Sequence, residues 1–144
     1  MGSDPQGVAA ARLDDHVSVG AQIAPADVAA LARMGFRAIL SNRPDGEAPD
    51  QPPFAEIAAA ARKHGMEAVH QPVTSPVTEA DADAFAAELA RLPGPVFAHC
   101  RSGTRSATLW ALSQRGTRPA DEIVAGARAA GYDLSGLADR LDRA

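Results

Sequence analysis

The chain has 144 residues, 46% of them hydrophobic and 22% charged, which is enough for one domain with its own core and excludes a disordered or fibrous chain. A net charge of −4 argues against a nucleic-acid or membrane binder, so any anion binding has to be local. One cysteine excludes an internal disulfide and points to a reducing, cytoplasmic setting, and no apolar run is long enough to span a bilayer.

Residues 1–15 are polar and Ala-rich and are expected to form a flexible segment ahead of a single domain over 16–144. A short strand is predicted at 17–20. A helix follows at 24–34, with Pro25 in its first turn and Gly35 closing it. The run 36–41 reads as a second strand. The segment 42–53 holds four prolines and a glycine and reads as a loop. A helix is predicted at 54–64, then a strand at 66–73 with Pro72 near its end. Thr78 and Asp81 fall at the N-cap and third helical positions of a helix over 78–92. The fourth strand is predicted at 95–99, and helices at 106–114, 119–130 and 134–142. Strands alternating with helices give an α/β fold with a central, mostly parallel sheet of about four strands flanked by helices. The loops 42–53 and 74–77 leave strand C-termini, where ligands of such sheets bind, and are expected to border one pocket with the loop after the fourth strand.

That last loop carries the strongest chemical signal. Cys100 ends the apolar run Pro95-Val96-Phe97-Ala98, and Arg101-Ser102-Gly103-Thr104-Arg105-Ser106 follows before the next helix. Unpaired amides in such a loop, with a helix N-terminus behind them, make an anion cradle that favours a thiolate, the nucleophilic form of cysteine. Arg105 supplies a planar fork of donors suited to a tetrahedral oxyanion. Arg101, Ser102, Gly103, Thr104 and Ser106 complete the expected anion-binding loop. Ser106 either caps the helix or donates to the thiolate. His99, Arg43 and Asp45 are supporting candidates. His99 reads equally as a satisfied core histidine, Arg101 as a solvated surface arginine, and Asp45 as a turn-fixing residue. Trp110, between Leu109 and Leu112, reads as core. The histidines show no metal-ligand spacing.

The segment His99-Cys100-x-x-Gly103-x-Arg105-Ser106 resembles the signature shared by cysteine-dependent phosphatases and rhodanese sulfurtransferases. The order of elements over 17–132 resembles the dual-specificity protein tyrosine phosphatase fold. Together, Val19-Gly-Ala-Gln-Ile23, Ser41-Asn-Arg-Pro-Asp-Gly-Glu47 and Cys100-Arg-Ser-Gly-Thr-Arg-Ser106 resemble the family called beta-lactamase hydrolase-like protein, phosphatase-like domain, whose members are also classed with sulfurtransferases. The likeness covers about residues 14–115. Some members are fused to a metallo-beta-lactamase-fold domain, so the resemblance implies such a partner protein on a separate chain.

Two departures from the phosphatase pattern bear on the chemistry. Four residues, rather than five, separate Cys100 from Arg105, which is the loop length usual in rhodaneses. The segment Thr74-Ser75-Pro76-Val77, where phosphatases usually carry an acidic residue, holds no carboxylate. Losing a general acid costs on the order of 10²–10⁴-fold where the leaving group needs a proton. The sequence therefore favours transfer of sulfane sulfur from thiosulfate or a persulfide to a thiol acceptor through a Cys100 persulfide, a reaction that requires no cofactor or metal. The alternative is phosphomonoester hydrolysis through a phosphocysteine, with Asp81 as substitute acid. A third reading is a non-enzymatic anion-binding or persulfide-sensing module. In each case the partner is a small anion.

Overall fold

The computed structural model describes residues 8–142. Its centre is a five-stranded sheet in the order β1-β2-β5-β3-β4, with β1 at Ala11–Arg12, β2 at Val17–Gly20, β3 at Ala38–Ser41, β4 at Glu67–His70 and β5 at Val96–His99. Strands β2, β5, β3 and β4 run parallel, and β1 lies antiparallel on β2. The helices are α1 (Val28–Arg33), α2 (Phe54–Lys63), α3 (Glu79–Arg91), α4 (Thr104–Ser113), α5 (Ala120–Ala129) and α6 (Ala138–Leu141). Single 3₁₀ turns at Pro25–Asp27 and Ser135–Leu137 precede α1 and α6, so the two helices predicted there are each split.

The strand count exceeds the expected four because of β1. Where the sequence suggests flexibility up to residue 15, Ala11 and Arg12 pair with Val19 and Ser18. The turn that follows is fixed by Asp14, whose carboxylate accepts from the His16 and Val17 amides at 2.8 and 2.9 Å and from the Trp110 indole at 2.9 Å. Residues 1–7 lie outside the described residues.

Strands β2, β3 and β5 are buried throughout, as expected for parallel strands covered on both faces. Alternation sends Ile39 and Phe97 to one face, where they pack with Val28, Leu31 and Ile57 of α1 and α2. Ala38, Leu40, Val96 and Ala98 face the larger core of Phe85, Leu109, Trp110, Leu112 and Ile123 from α3, α4 and α5. Trp110 is fully buried, in keeping with its reading as core.

Register places the reactive end of the sheet. Gly20, His99 and Ser41 form one row across β2, β5 and β3, and Ser41 continues it to His70 of β4. The loops after all four strands therefore leave from one level. The strand predicted over 66–73 narrows to Glu67–His70. Past it, Pro72 has no N–H to give, and the Gln71 and Val73 amides bond the Ser41 and Asn42 carbonyls at 2.8 and 2.9 Å, holding the exit close to β3. Among the described residues no helix is long and apolar enough to cross a membrane.

Candidate active site

The chain leaves β5 and turns into α4 within four residues. Gly103, at the N-cap of α4, has φ +99°, a conformation open to glycine and strained for other residues. That turn aims the Gly103 amide at the Cys100 sulfur, 3.1 Å away. Cys100 is buried, between a strand end and the N-terminus of α4. Because the turn is this tight, α4 starts at Thr104 and not at Ser106 as the sequence suggests. Thr104 and Arg105 thus belong to its first turn.

Arg105 is held from the opposite side of the cleft. Its Nη1 donates to Glu47 Oε2 and to the Val73 carbonyl, both at 2.8 Å, and its Nη2 donates to Glu47 Oε1 at 2.8 Å. Three of its five N–H groups are used in this way, which leaves two for Cys100 or a ligand. The bidentate fork expected for an oxyanion is therefore engaged by a carboxylate in this state. Glu47 also accepts from Arg43 Nε at 2.9 Å. The Arg105 hydrogen bonds chiefly, and the Arg43 bond after them, hold the Glu47 carboxyl at about 2, against an ordinary 4.5 and in spite of partial burial. In return Glu47 raises the Arg105 pKa further, and the charge of Cys100 adds to the effect.

Behind this pair lies a polar network. Arg43 is 5% exposed, and its Nη1 donates to Gln22 Oε1 at 3.2 Å, while the Gln22 amide donates to the Arg101 carbonyl at 3.2 Å. His70 Nε2 donates to the Arg43 carbonyl at 2.8 Å. Ser106 is fully buried and donates to Asn42 Oδ1 at 2.8 Å, and Asn42 Nδ2 reaches the Gln71 carbonyl at 3.2 Å. The proton of the Ser106 hydroxyl is thus directed at Asn42, not at the thiolate and not at a helix cap. Ser102 and Thr104 share a hydroxyl contact of 3.2 Å at the exposed rim. Arg43, Glu47, Thr74, Ser75, Arg101 and Arg105 line a cleft of about 510 Å³, whose apolar wall is Ala48 and Pro49. The loops 42–53 and 74–77 do border one pocket with the cysteine loop.

Two supporting candidates, His99 and Asp45, and the candidate acid Asp81 sit away from the cleft lining. His99 is buried, its Nδ1 faces the Cys100 carbonyl at 3.5 Å, and its Nε2 has no partner among the described residues. Burial lowers its pKa to about 4, so it is a neutral imidazole near neutral pH. Asp45 accepts from the Phe54 amide at 2.9 Å, nine residues on, and so ties its loop to the first residue of α2. Asp81 is corrected as a general acid. Its carboxylate accepts from the Thr78 amide at 3.0 Å while its own amide donates to the Thr78 hydroxyl at 3.1 Å, a capping box on α3, and it does not line the cleft. Asp83 pairs with Arg115 at 3.0 Å. Glu47 stands in the segment Ser41-Asn-Arg-Pro-Asp-Gly-Glu47, and sequence reasoning alone assigns it no role. The available signal was an acid four residues after Arg43 in a loop expected to face the cysteine.

A doubly wound, mostly parallel sheet with a cysteine and an arginine at the mouth of the central strand defines a protein tyrosine phosphatase-like α/β domain. The profile of the family beta-lactamase hydrolase-like protein, phosphatase-like domain, matches residues 11–117, and the chain belongs to that family. It is 37% identical over 137 residues to the beta-lactamase hydrolase-like protein of Agrobacterium fabrum, covering 93% of this chain and 32% of that protein. The chain thus spans about a third of the length of that curated relative. Among solved structures, a candidate phosphatase from Neisseria meningitidis superposes with a TM-score of 0.85 at 36% identity, covering 94% of this chain and 97% of that one. P. aeruginosa TpbA, crystallised with phosphotyrosine, shares the fold at a TM-score of 0.64 and 17% identity, over 100% of this chain and 96% of that one.

Proposed function

We propose that this domain is a cysteine-dependent phosphohydrolase limited to substrates whose leaving group departs as a stable anion. What carries the reading is the placement of buried Cys100 just ahead of the α4 N-terminus, beside a cleft lined by Arg105 and, as its one carboxylate among the described residues, by Glu47, which two arginines hold ionised. The Cys100 thiolate attacks phosphorus, the bond from phosphorus to the leaving oxygen breaks, and the leaving group takes the electron pair. Water then attacks the phosphocysteine, the P–S bond breaks, phosphate leaves and the thiolate returns. Loop amides and the two remaining Arg105 donors stabilise the charge on the transferring group. A carboxyl at about 2 has no proton to give at neutral pH, so Glu47 cannot serve as acid. Aryl and acyl phosphates and phosphoanhydrides meet this restriction, and simple alkyl esters do not.

Sulfur transfer, the reading favoured by the sequence, is kept as a second one. The fold neighbours and family favour the phosphatase chemistry, whereas the four-residue interval between Cys100 and Arg105 and the absence of an acid favour sulfane sulfur, because sulfite and thiolates also leave without a proton. Intact-mass analysis after incubation with p-nitrophenyl phosphate or with thiosulfate separates the two. The phosphohydrolase reading expects nitrophenol release with a transient phosphate adduct that Cys100→Ser lacks. A gain of one sulfur on Cys100 with no nitrophenol release would replace it by sulfur transfer.

A further inference from the structure

We infer that Arg101 is a second anion-binding position, so that the substrate carries two anionic centres, one at Cys100 and Arg105 and the other at the cleft mouth. The inference rests on the phosphohydrolase reading and names its substrate class. The three arginines of the cleft are not equivalent. Arg43 and Arg105 converge on Glu47, which cancels much of their charge. Arg101 is exposed, lines the same cleft and has no hydrogen-bond or ion-pair partner among the described residues. Its backbone is nonetheless fixed, since its carbonyl accepts from the Gln22 amide and Gln22 in turn holds Arg43. A cation on an anchored loop, beside a cleft that holds far more than one tetrahedral oxyanion, is placed to read a second charge at a set distance from the first.

The walls agree with a small, polar ligand. Thr74 and Ser75 present hydroxyl-bearing side chains, Ala48 and Pro49 are small, and among the described residues no aromatic ring lines the cleft to stack on a tyrosyl group. The substrate class is therefore a compact, non-aromatic molecule with an activated phosphate and a second phosphate or carboxylate.

Calorimetric titration with non-hydrolysable probes tests this. Methylphosphonate carries one anionic centre, whereas methylene-, ethylene- and propylene-diphosphonate carry two at increasing separation. The expected result is binding of one diphosphonate about tenfold tighter than methylphosphonate, as one charge-assisted contact provides, with a clear dependence on separation. In Arg101→Gln the ratio falls toward one, and Arg101→Lys keeps part of it. Equal gains for all three separations, or an unchanged ratio in Arg101→Gln, would overturn the inference while leaving the phosphohydrolase reading in place. Absence of binding by methylphosphonate and all diphosphonates would overturn both.

Discussion

The loop after β5 covers residues 100–103 and is fixed by its own backbone, through a left-handed Gly103 and an amide aimed at Cys100. The loop after β3 runs through residues 42–53 and is fixed by side chains, with Arg43 bonded to Gln22 and Glu47, Asp45 to the α2 amide, and Gln51 to the Pro44 carbonyl. The first places the sulfur, and the second places the cation that works beside it. Arg105 belongs to α4 by sequence, yet three of its hydrogen bonds go to Glu47 and Val73, outside its own loop. The two halves of the site are therefore separable by mutation.

The largest effect expected of such a separation is at Arg105. Lysine keeps the charge but cannot engage Glu47 and a ligand with separate edges, so Arg105→Lys should lower kcat/KM by about 10²–10³-fold. Steady-state kinetics on an aryl phosphate measures this, and a variant within a few-fold of wild type would show that only charge matters at 105.

Glu47→Gln attacks the comparison from the other loop. It leaves Cys100 and its amide in place but loosens Arg105, and a drop of about tenfold or more in kcat is expected, partly restored in Glu47→Asp. Stability should respond as well. The Glu47 carboxyl titrates at about 2 in the fold against 4.5 when unperturbed, so its contribution is complete above pH 4.5 and is lost as pH falls from there toward 2. Denaturant unfolding across that window should be flatter with pH in Glu47→Gln.

His99 gives a second window, higher in pH. Its imidazole is buried and protonates only near 4, whereas the unfolded chain takes up a proton near 6.5. Stability therefore rises with pH between about 4 and 6.5, and falls as pH drops through that range. His99→Asn should remove this slope while leaving the Glu47 window below it. An unchanged slope would show that another group titrates there.

The smallest kinetic effect belongs to Asp81. Asn at this third helical position keeps an acceptor but loses the charge near the helix N-terminus, so replacement should cost about 0.5 kcal/mol of stability, while turnover stays within about twofold. A loss of 10²-fold for substrates with poor leaving groups would restore it as the acid.

Much of this was legible in the sequence, and the exceptions have physical causes. Period and punctuation placed four strands, the Thr78 cap and the Cys100 loop, because each rests on neighbouring residues. The pairing of Ala11 and Arg12 was not legible, since two residues give no period and their partner strand supplies the order. Glu47 escaped for a related reason: its role depends on Arg105, 58 positions away. Ser106 reads from sequence as a helix cap or a donor to the thiolate, but buried Asn42, whose own amide bonds the His99 carbonyl, takes its proton. Helix α4 starts early because Gly103 turns the chain at once, a matter of φ that the letters alone do not reveal.

The central claim is a thiolate site in which no protonated carboxyl lines the cleft to serve the leaving group among the described residues. Its most direct test is the dependence of kcat/KM on leaving-group pKa over a series of substituted phenyl phosphates. The account predicts a steep fall as the leaving phenol becomes more basic, because the oxygen departs as an anion. A flat dependence would contradict it, since only a general acid in the cleft could level the series.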